Sequence, residues 1–77
     1  MTHYDTLEIS RQASPEVVRA AYRSLIQRFH PDRPPGDAQA AERAAAITVA
    51  YEVLADPARR AAYDEELEAA RSGAAQA

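Results

Sequence analysis

The spacing of apolar residues along the chain predicts helices and no strands. From residue 18 to residue 29, apolar side chains recur every three or four positions, which is the period of one helix face. These positions are Val18, Ala21, Leu25 and Phe29, with Tyr22 at the rim of the stripe. Ser14-Pro15-Glu16 precedes the stripe with a hydroxyl cap, a proline suited to the first helical position and an acid that complements the helix dipole. Pro31 is expected to end this helix, because the residue before a proline avoids the α region.

A second stripe of similar length follows a loop. Pro34-Pro35-Gly36 cannot continue a helix, and Asp37 is suited to cap the next one. The apolar stripe of that helix consists of Ala40, Ala44, Ile47, Tyr51 and Leu54. A loop of roughly seven residues lets two helices fold back on each other. The pattern therefore predicts an antiparallel hairpin in which each helix buries the apolar face of the other.

Shorter segments flank this hairpin. Tyr4, Leu7 and Ile9 form one or two turns that must lie against the hairpin to be stable. Asp56-Pro57 repeats the cap-plus-proline signal and is expected to open a shorter helix through Leu67 that packs across the end of the hairpin. Residues 71–77 have no large side chain to bury and are expected to fray. We thus expect an all-α fold: two long helices in a hairpin, a short N-terminal helix and a short C-terminal helix, with one domain over residues 1–70 and a tail over residues 71–77.

Composition narrows the class of protein. A chain of 77 residues holds one small core, and the absence of cysteine excludes disulfides and thiolate metal sites. With only His3 and His30 as imidazoles, no set of ligands has metal-binding spacing, so we expect no metal and no cofactor. No apolar run approaches the roughly 20 residues that span a bilayer, and the first residues lack signal-peptide features. We expect a cytoplasmic protein that does not associate with membranes.

Charge is distributed unevenly. The net charge is −3, but residues 10–36 hold five Arg and two acids, for a local +3, whereas the remaining residues hold four Arg and ten acids. A basic segment within an acidic protein favours an acidic protein partner over nonspecific binding to a polyanion.

The tripeptide His30-Pro31-Asp32 lies where the basic helix ends. His30 faces the negative end of the helix dipole, Pro31 stiffens the exit, and the carboxylate of Asp32 can accept hydrogen bonds from an Arg of a partner. Without further context, a histidine at this position more often satisfies helix carbonyls than binds a partner.

The preceding helix adds cations on one flank. Arg19 and Arg23 are four positions apart and therefore lie on the same side of the helix, beside Tyr22. Tyr22 either contacts a partner with them or simply covers the rim of the hairpin. Arg28 is expected to be a solvated flank residue, and Arg59 and Arg60 are expected to have structural roles near Asp56 and Asp64.

Four sequence blocks resemble the J-domain family in order and spacing. They are Tyr4-Asp5-Thr6-Leu7-Glu8-Ile9, then Ala21-Tyr22-Arg23-Ser24-Leu25 before Phe29-His30-Pro31-Asp32-Arg33, then Ala50-Tyr51-Glu52-Val53-Leu54 with Asp56-Pro57, and Arg59-Arg60-Ala61-Ala62-Tyr63-Asp64. The resemblance covers about residues 2–66. It implies a non-enzymatic co-chaperone module that binds a DnaK-class chaperone ATPase and stimulates its ATP hydrolysis. The implied partner-binding residues are Arg19, Tyr22, Arg23, His30, Pro31, Asp32 and Arg33.

The chain departs from the family pattern at several positions. Ala20 and Ser24 replace cations that many members have, which thins the basic face and favours a lower affinity for the partner. Glu8 replaces the usual glycine after the first helix, and Ala44 replaces a common core phenylalanine. No segment resembles the linker, zinc-binding or client-binding regions of the family.

Three other functions compete with this interpretation. A helix-turn-helix nucleic-acid binder is supported only by the local positive charge, and no helix presents a set of side chains for reading bases, so we expect no nucleic-acid partner. An enzyme is disfavoured because Ser10, Ser14, Ser24 and Ser72 lack a base and an orienting carboxylate at suitable spacing. A J-like adaptor that keeps the fold without stimulating an ATPase is the closer alternative.

One further surface is suggested by position on the helical wheel. Val49 and Val53, with Ala46, fall on the side of the second long helix away from its stripe. Such a patch would bind another domain or a second copy if it were exposed, although single exposed apolar residues are common. We otherwise expect a monomer.

Overall fold

The computed structural model describes residues 1–29 and 38–76, and these residues form helices with no strand among them. The helices are α1 (His3–Thr6), α2 (Pro15–Arg28), α3 (Ala38–Leu54) and α4 (Pro57–Gln76). The all-α class is confirmed. The proposed cap Asp37 and the loop that precedes it lie outside the described residues.

Helix α2 begins where the local signals predict. The hydroxyl of Ser14 accepts a hydrogen bond from the backbone N–H of Val17 at 3.3 Å, and Pro15 occupies the first helical position. At the other end, the backbone N–H of Phe29 donates to the carbonyl of Leu25 at 3.0 Å, so the helical bonding reaches the last described residue before His30.

Helix α3 is the centre of the fold, because it packs against each of the other three helices. Tyr22 of α2 stacks on Tyr51 of α3, and Phe29 lies near Arg43, so the order of contacts confirms an antiparallel hairpin. The buried side chains of the main core cluster are Tyr4, Leu7, Val18, Leu25, Ile47, Ala50 and Leu54. Burying a side chain such as Ile47, which is 2% exposed, contributes roughly 1.5–3 kcal/mol to the free energy of unfolding. The buried residues of α2 and α3 lie on the two predicted stripes except Ala50, and Ile26 and Val53 also pack against the core from outside those stripes.

The guanidinium group of Arg60, on α4, links this helix to α1 and to the segment between α1 and α2. The Nε of Arg60 donates to the hydroxyl oxygen of Tyr4 at 3.1 Å, while its Nη2 donates to the carbonyls of Arg11 and Ala13 at 3.0 and 2.8 Å. The Tyr4 hydroxyl in turn donates to a carboxylate oxygen of Asp64 at 2.6 Å. We call these five residues the Arg60 clamp. The structural role expected for Arg60 is confirmed.

The length of α4 differs from the expectation. A shorter helix was expected through Leu67 with fraying from residue 71, but α4 has 20 residues and is helical to Gln76. The expectation considered only burial, and residues 68–73 are indeed exposed. Alanine is the best helix former, so the alanines of this segment favour helix even where the side chains are exposed. The proposed domain boundary at residue 70 remains a prediction.

The first turn of the chain ends in a left-handed residue. Glu8 has φ of 58°, a region that a residue with a Cβ enters at a cost and that glycine enters freely. The family's usual glycine at this position therefore has a backbone reason, and this chain keeps the conformation without it.

The apolar patch suggested on α3 is smaller than expected. Val49 is 52% exposed and Ala46 is exposed, but Val53 is half-buried and packs against the core. Ala44 is 8% exposed, so the position remains buried although its side chain is only a methyl group.

Candidate partner-binding site

Helix α2 places two cations on one open surface. Arg19 and Arg23 are both exposed, and together with Glu16 and Ala20 they line a shallow depression on the outer side of the helix. Among the described residues, neither guanidinium has an ion-pair partner. Their donors are directed to solvent and available to a carboxylate of another molecule. The flank predicted from the four-residue spacing is present.

Tyr22 lies beside these cations but is also a packing residue. Its ring stacks on the ring of Tyr51 with centroids 4.0 Å apart and planes 19° apart, and it is half-buried against the core. The contact fixes the ring at the seam between α2 and α3. Tyr22 therefore covers the rim of the hairpin, and its exposed part borders the surface formed by Arg19 and Arg23.

The signature tripeptide and the next cation lie outside the described residues. These positions are His30, Pro31, Asp32 and Arg33, and their roles remain predictions. What the structure describes is the approach to them: Phe29 caps α2 and still makes the helical bond to Leu25, so the tripeptide follows α2 directly.

Two residues near that approach were not assigned to the site by sequence reasoning. The guanidinium carbons of Arg28 and Arg43 lie 5.8 and 5.5 Å from the centroid of the Phe29 ring. Arg28 was expected to be a solvated flank residue, and it is exposed but contacts this ring. Arg43 lies on α3, 14 positions after Phe29. A local sequence pattern does not predict a contact between residues on different helices.

The described residues hold no metal-binding cluster and no membrane-spanning helix. Across residues 1–29 and 38–76, no three or more His, Cys, Asp or Glu side chains are grouped to hold a metal ion. None of the helices in those ranges combines the length and the hydropathy needed to cross a bilayer. The described part of the candidate site is the charged outer side of α2, where Arg19 and Arg23 are exposed.

Comparison with known proteins defines the class. The family model described as "DnaJ domain" matches residues 2–64 of the chain. Among curated relatives, the chain is 53% identical over 62 residues to "Chaperone protein DnaJ" of Acidithiobacillus ferrooxidans, covering 80% of this chain and 16% of the relative. It is 48% identical over 64 residues to the protein of the same name from Chlamydia abortus, covering 83% of this chain and 16% of that relative.

The family match runs from Thr2, the cap of α1, to Asp64, the α4 carboxylate that accepts from Tyr4. The chain belongs to the J-domain family. It spans about one sixth of the length of the relatives that it matches (16% in both cases). The names of those relatives therefore belong to much longer proteins.

Proposed function

We propose that this chain is a co-chaperone module that binds a DnaK-type chaperone ATPase and stimulates its ATP hydrolysis. The single observation that supports this most strongly is the pair of exposed cations, Arg19 and Arg23, on the helix that leads directly to His30-Pro31-Asp32. Membership of the J-domain family and relatives named "Chaperone protein DnaJ" support the same partner.

The proposed contact is electrostatic and conformational. Exposed guanidinium groups attract an acidic surface by long-range electrostatics and so speed its encounter. Binding alone changes nothing in the partner, since a ligand with equal affinity for two states shifts neither. The module must therefore bind the hydrolysis-competent conformation of the ATPase better than the alternatives.

The residues proposed to make the contact are the two cations, the rim tyrosine, the tripeptide and the cation after it. They are Arg19, Tyr22, Arg23, His30, Pro31, Asp32 and Arg33. Asp32 has the most specific role in this proposal, because a carboxylate accepts paired hydrogen bonds from an arginine of the partner, which neither an amide nor a hydroxyl matches. Hydrolysis itself takes place in the partner.

The test is single-turnover ATP hydrolysis by a DnaK-type ATPase with increasing amounts of this chain. We expect stimulation by the wild-type chain and its loss in Asp32→Asn, which keeps the size of the side chain and removes its charge. Glu65→Gln on the exposed side of α4 is the matched control, because it removes a carboxylate far from the proposed contact and should stimulate as the wild type does. Circular dichroism should show equal helix content in all three proteins.

A J-like adaptor is the second candidate, and one observation favours it. Ala20 and Ser24 are both exposed on α2, so the outer side of that helix presents fewer cations than in many family members. An adaptor binds an ATPase without stimulating it. If wild-type chain at saturating concentration binds the ATPase but leaves its single-turnover rate unchanged, the adaptor interpretation replaces the co-chaperone one.

A further inference from the structure

Two guanidinium groups lie near the ring of Phe29 at the end of α2. Arg28, on the same helix, lies 5.8 Å from its ring centroid, and Arg43, on α3, lies 5.5 Å from it. Both distances fall within the range of a cation–π contact. The Phe29 ring is half-buried and packs against the core, while its backbone caps α2 and immediately precedes His30.

The contact from α3 is important because little else of comparable size is available there. From Ala38 to Ala46, the only side chains longer than a methyl group are those of Gln39, Glu42 and Arg43. The position where many family members place a phenylalanine is Ala44 in this chain. Of the three longer side chains, the structure shows Arg43 contacting the aromatic ring at the end of α2.

We propose that Arg43 is a positioning residue. By lying on Phe29, it holds the end of α2 against the start of α3, and so fixes the direction in which the chain leaves α2 toward His30-Pro31-Asp32. Arg28 cannot do this, because it contacts the ring from the same helix and does not join two helices. The inference rests on the proposed function, since it assigns to Arg43 an effect on how the tripeptide is presented to the ATPase.

A different role for Arg43, as one more cation that attracts the partner directly, makes different predictions. Arg43→Met separates the two, because a methionine keeps a long side chain that packs on an aromatic ring but has no charge. Arg43→Ala removes both the contact and the charge. A positioning role requires Arg43→Met to stimulate hydrolysis more than Arg43→Ala does. Direct attraction predicts equal losses of stimulation in the two variants.

The first measurement is maximal stimulation of single-turnover hydrolysis at saturating chain, well below the melting temperature of each variant. We expect Arg43→Ala to lower the maximum about two- to fivefold, the factor that one exposed cation–π contact corresponds to. Arg43→Met should fall between Arg43→Ala and wild type. Arg59→Ala is the control, because Arg59 is an exposed cation that pairs only locally, with its Nε 3.7 Å from a carboxylate oxygen of Asp56. A wild-type maximum in Arg43→Ala, or equal losses in Arg43→Ala and Arg43→Met, overturns the proposal.

The second measurement needs no ATPase and separates this proposal from the proposed function. Backbone amide chemical shifts of His30, Asp32 and Arg33 are recorded for the free wild-type chain and for each variant. We expect Arg43→Ala to move these shifts more than Arg59→Ala does, with helix content unchanged. If the shifts move but the wild type stimulates no ATPase, the proposed function fails and the positioning role stands; if residues 30–33 do not respond to Arg43→Ala, the positioning role fails even if stimulation is found.

Discussion

Arginine residues at two regions of this small domain are used in opposite ways. In the Arg60 clamp, one guanidinium donates to the Tyr4 hydroxyl and to two backbone carbonyls, at distances of 2.8 to 3.1 Å. On the outer side of α2, Arg19 and Arg23 are exposed and have no ion-pair partner among the described residues.

In a chain with nine arginines, this difference separates a cation that is bonded within the fold from two cations that are exposed to other molecules. Arg60 donates to the carbonyls of Arg11 and Ala13 in the segment between α1 and α2, so its loss removes these hydrogen bonds. Arg19 and Arg23 stabilise little within the chain, because an exposed cation without a partner gains almost nothing from folding. A mutation in the first region should therefore change stability, and one in the second should change binding.

The largest expected effect on stability comes from Arg60→Ala. It removes three hydrogen bonds from a charged donor and leaves part-buried acceptors unpaired, so the free energy of unfolding should fall by about 2–3 kcal/mol. Urea unfolding followed by circular dichroism measures this. Arg59→Ala has the same change in charge one position earlier and should cost less than about 0.5 kcal/mol. Equal losses in the two variants would mean that the clamp does not stabilise the fold.

The second effect comes from Tyr4→Phe, which keeps the buried ring and removes the hydroxyl shared by Arg60 and Asp64. We expect a loss of about 1–2 kcal/mol, because one hydrogen bond to a charged acceptor and one from a charged donor disappear. Tyr51→Phe is the control, since its ring stacking on Tyr22 does not require the hydroxyl.

Tyr4→Phe should also change how the free energy of unfolding depends on pH. Burial, followed by the hydrogen bond to Asp64, raises the pKa of Tyr4 above the ordinary value of 10.0, so the fold favours the neutral phenol. The stability that this group contributes is complete below pH 10.0 and is lost as the pH rises through the higher folded pKa. Urea midpoints between about pH 8 and pH 11 should fall more steeply in the wild type than in Tyr4→Phe. Parallel curves would contradict this account of the Tyr4 hydroxyl.

Sequence alone predicts the parts of this comparison that depend on nearby residues. The start of α2 follows from Ser14 and Pro15, and the shared side of Arg19 and Arg23 follows from their spacing. The partners of Arg60 could not be predicted, because Tyr4 and Arg11 lie 56 and 49 positions away and only the packed fold brings them together. The contact between Arg43 and Phe29 could not be predicted for the same reason, because only packing of α2 against α3 brings these residues together.

The length of α4 was missed for a different reason. Residues 68–73 of α4 are exposed, and a prediction based on the apolar pattern ends at Leu67, before them. Helix propensity acts without burial, and the alanines that follow supply it. Of the candidate site, the cations and the rim tyrosine on α2 lie where the sequence placed them, whereas the tripeptide lies in the part of the chain outside the described residues.

A third prediction concerns the strain next to the clamp. Glu8 keeps a φ of 58° between α1 and the segment held by Arg60, which indicates that the surrounding contacts enforce the conformation. Glu8→Gly should raise the free energy of unfolding by about 0.5–1 kcal/mol, since the left-handed penalty disappears and is only partly offset by the greater chain entropy of glycine. Glu8→Ala keeps the Cβ and should give no comparable gain. A gain in both variants would attribute the effect to the carboxylate and not to the backbone.

The smallest expected effect on stability comes from the double substitution Arg19→Gln and Arg23→Gln. Both side chains are exposed and unpaired among the described residues, so the free energy of unfolding should change by less than about 0.5 kcal/mol. Stimulation of the ATPase should nevertheless require much more chain, because the attraction for an acidic partner is lost. The salt dependence should change as well. The concentration of wild-type chain that gives half-maximal stimulation should rise between low and physiological salt, where charges are screened over about 8–10 Å, and the double variant should respond less.

The control is Arg59→Gln with Arg71→Gln, which removes two exposed cations from α4 and should preserve both the affinity and the salt response of the wild type. If the α4 pair weakens stimulation as much as the α2 pair, net charge and not the surface of α2 determines binding, and the functional half of the comparison fails.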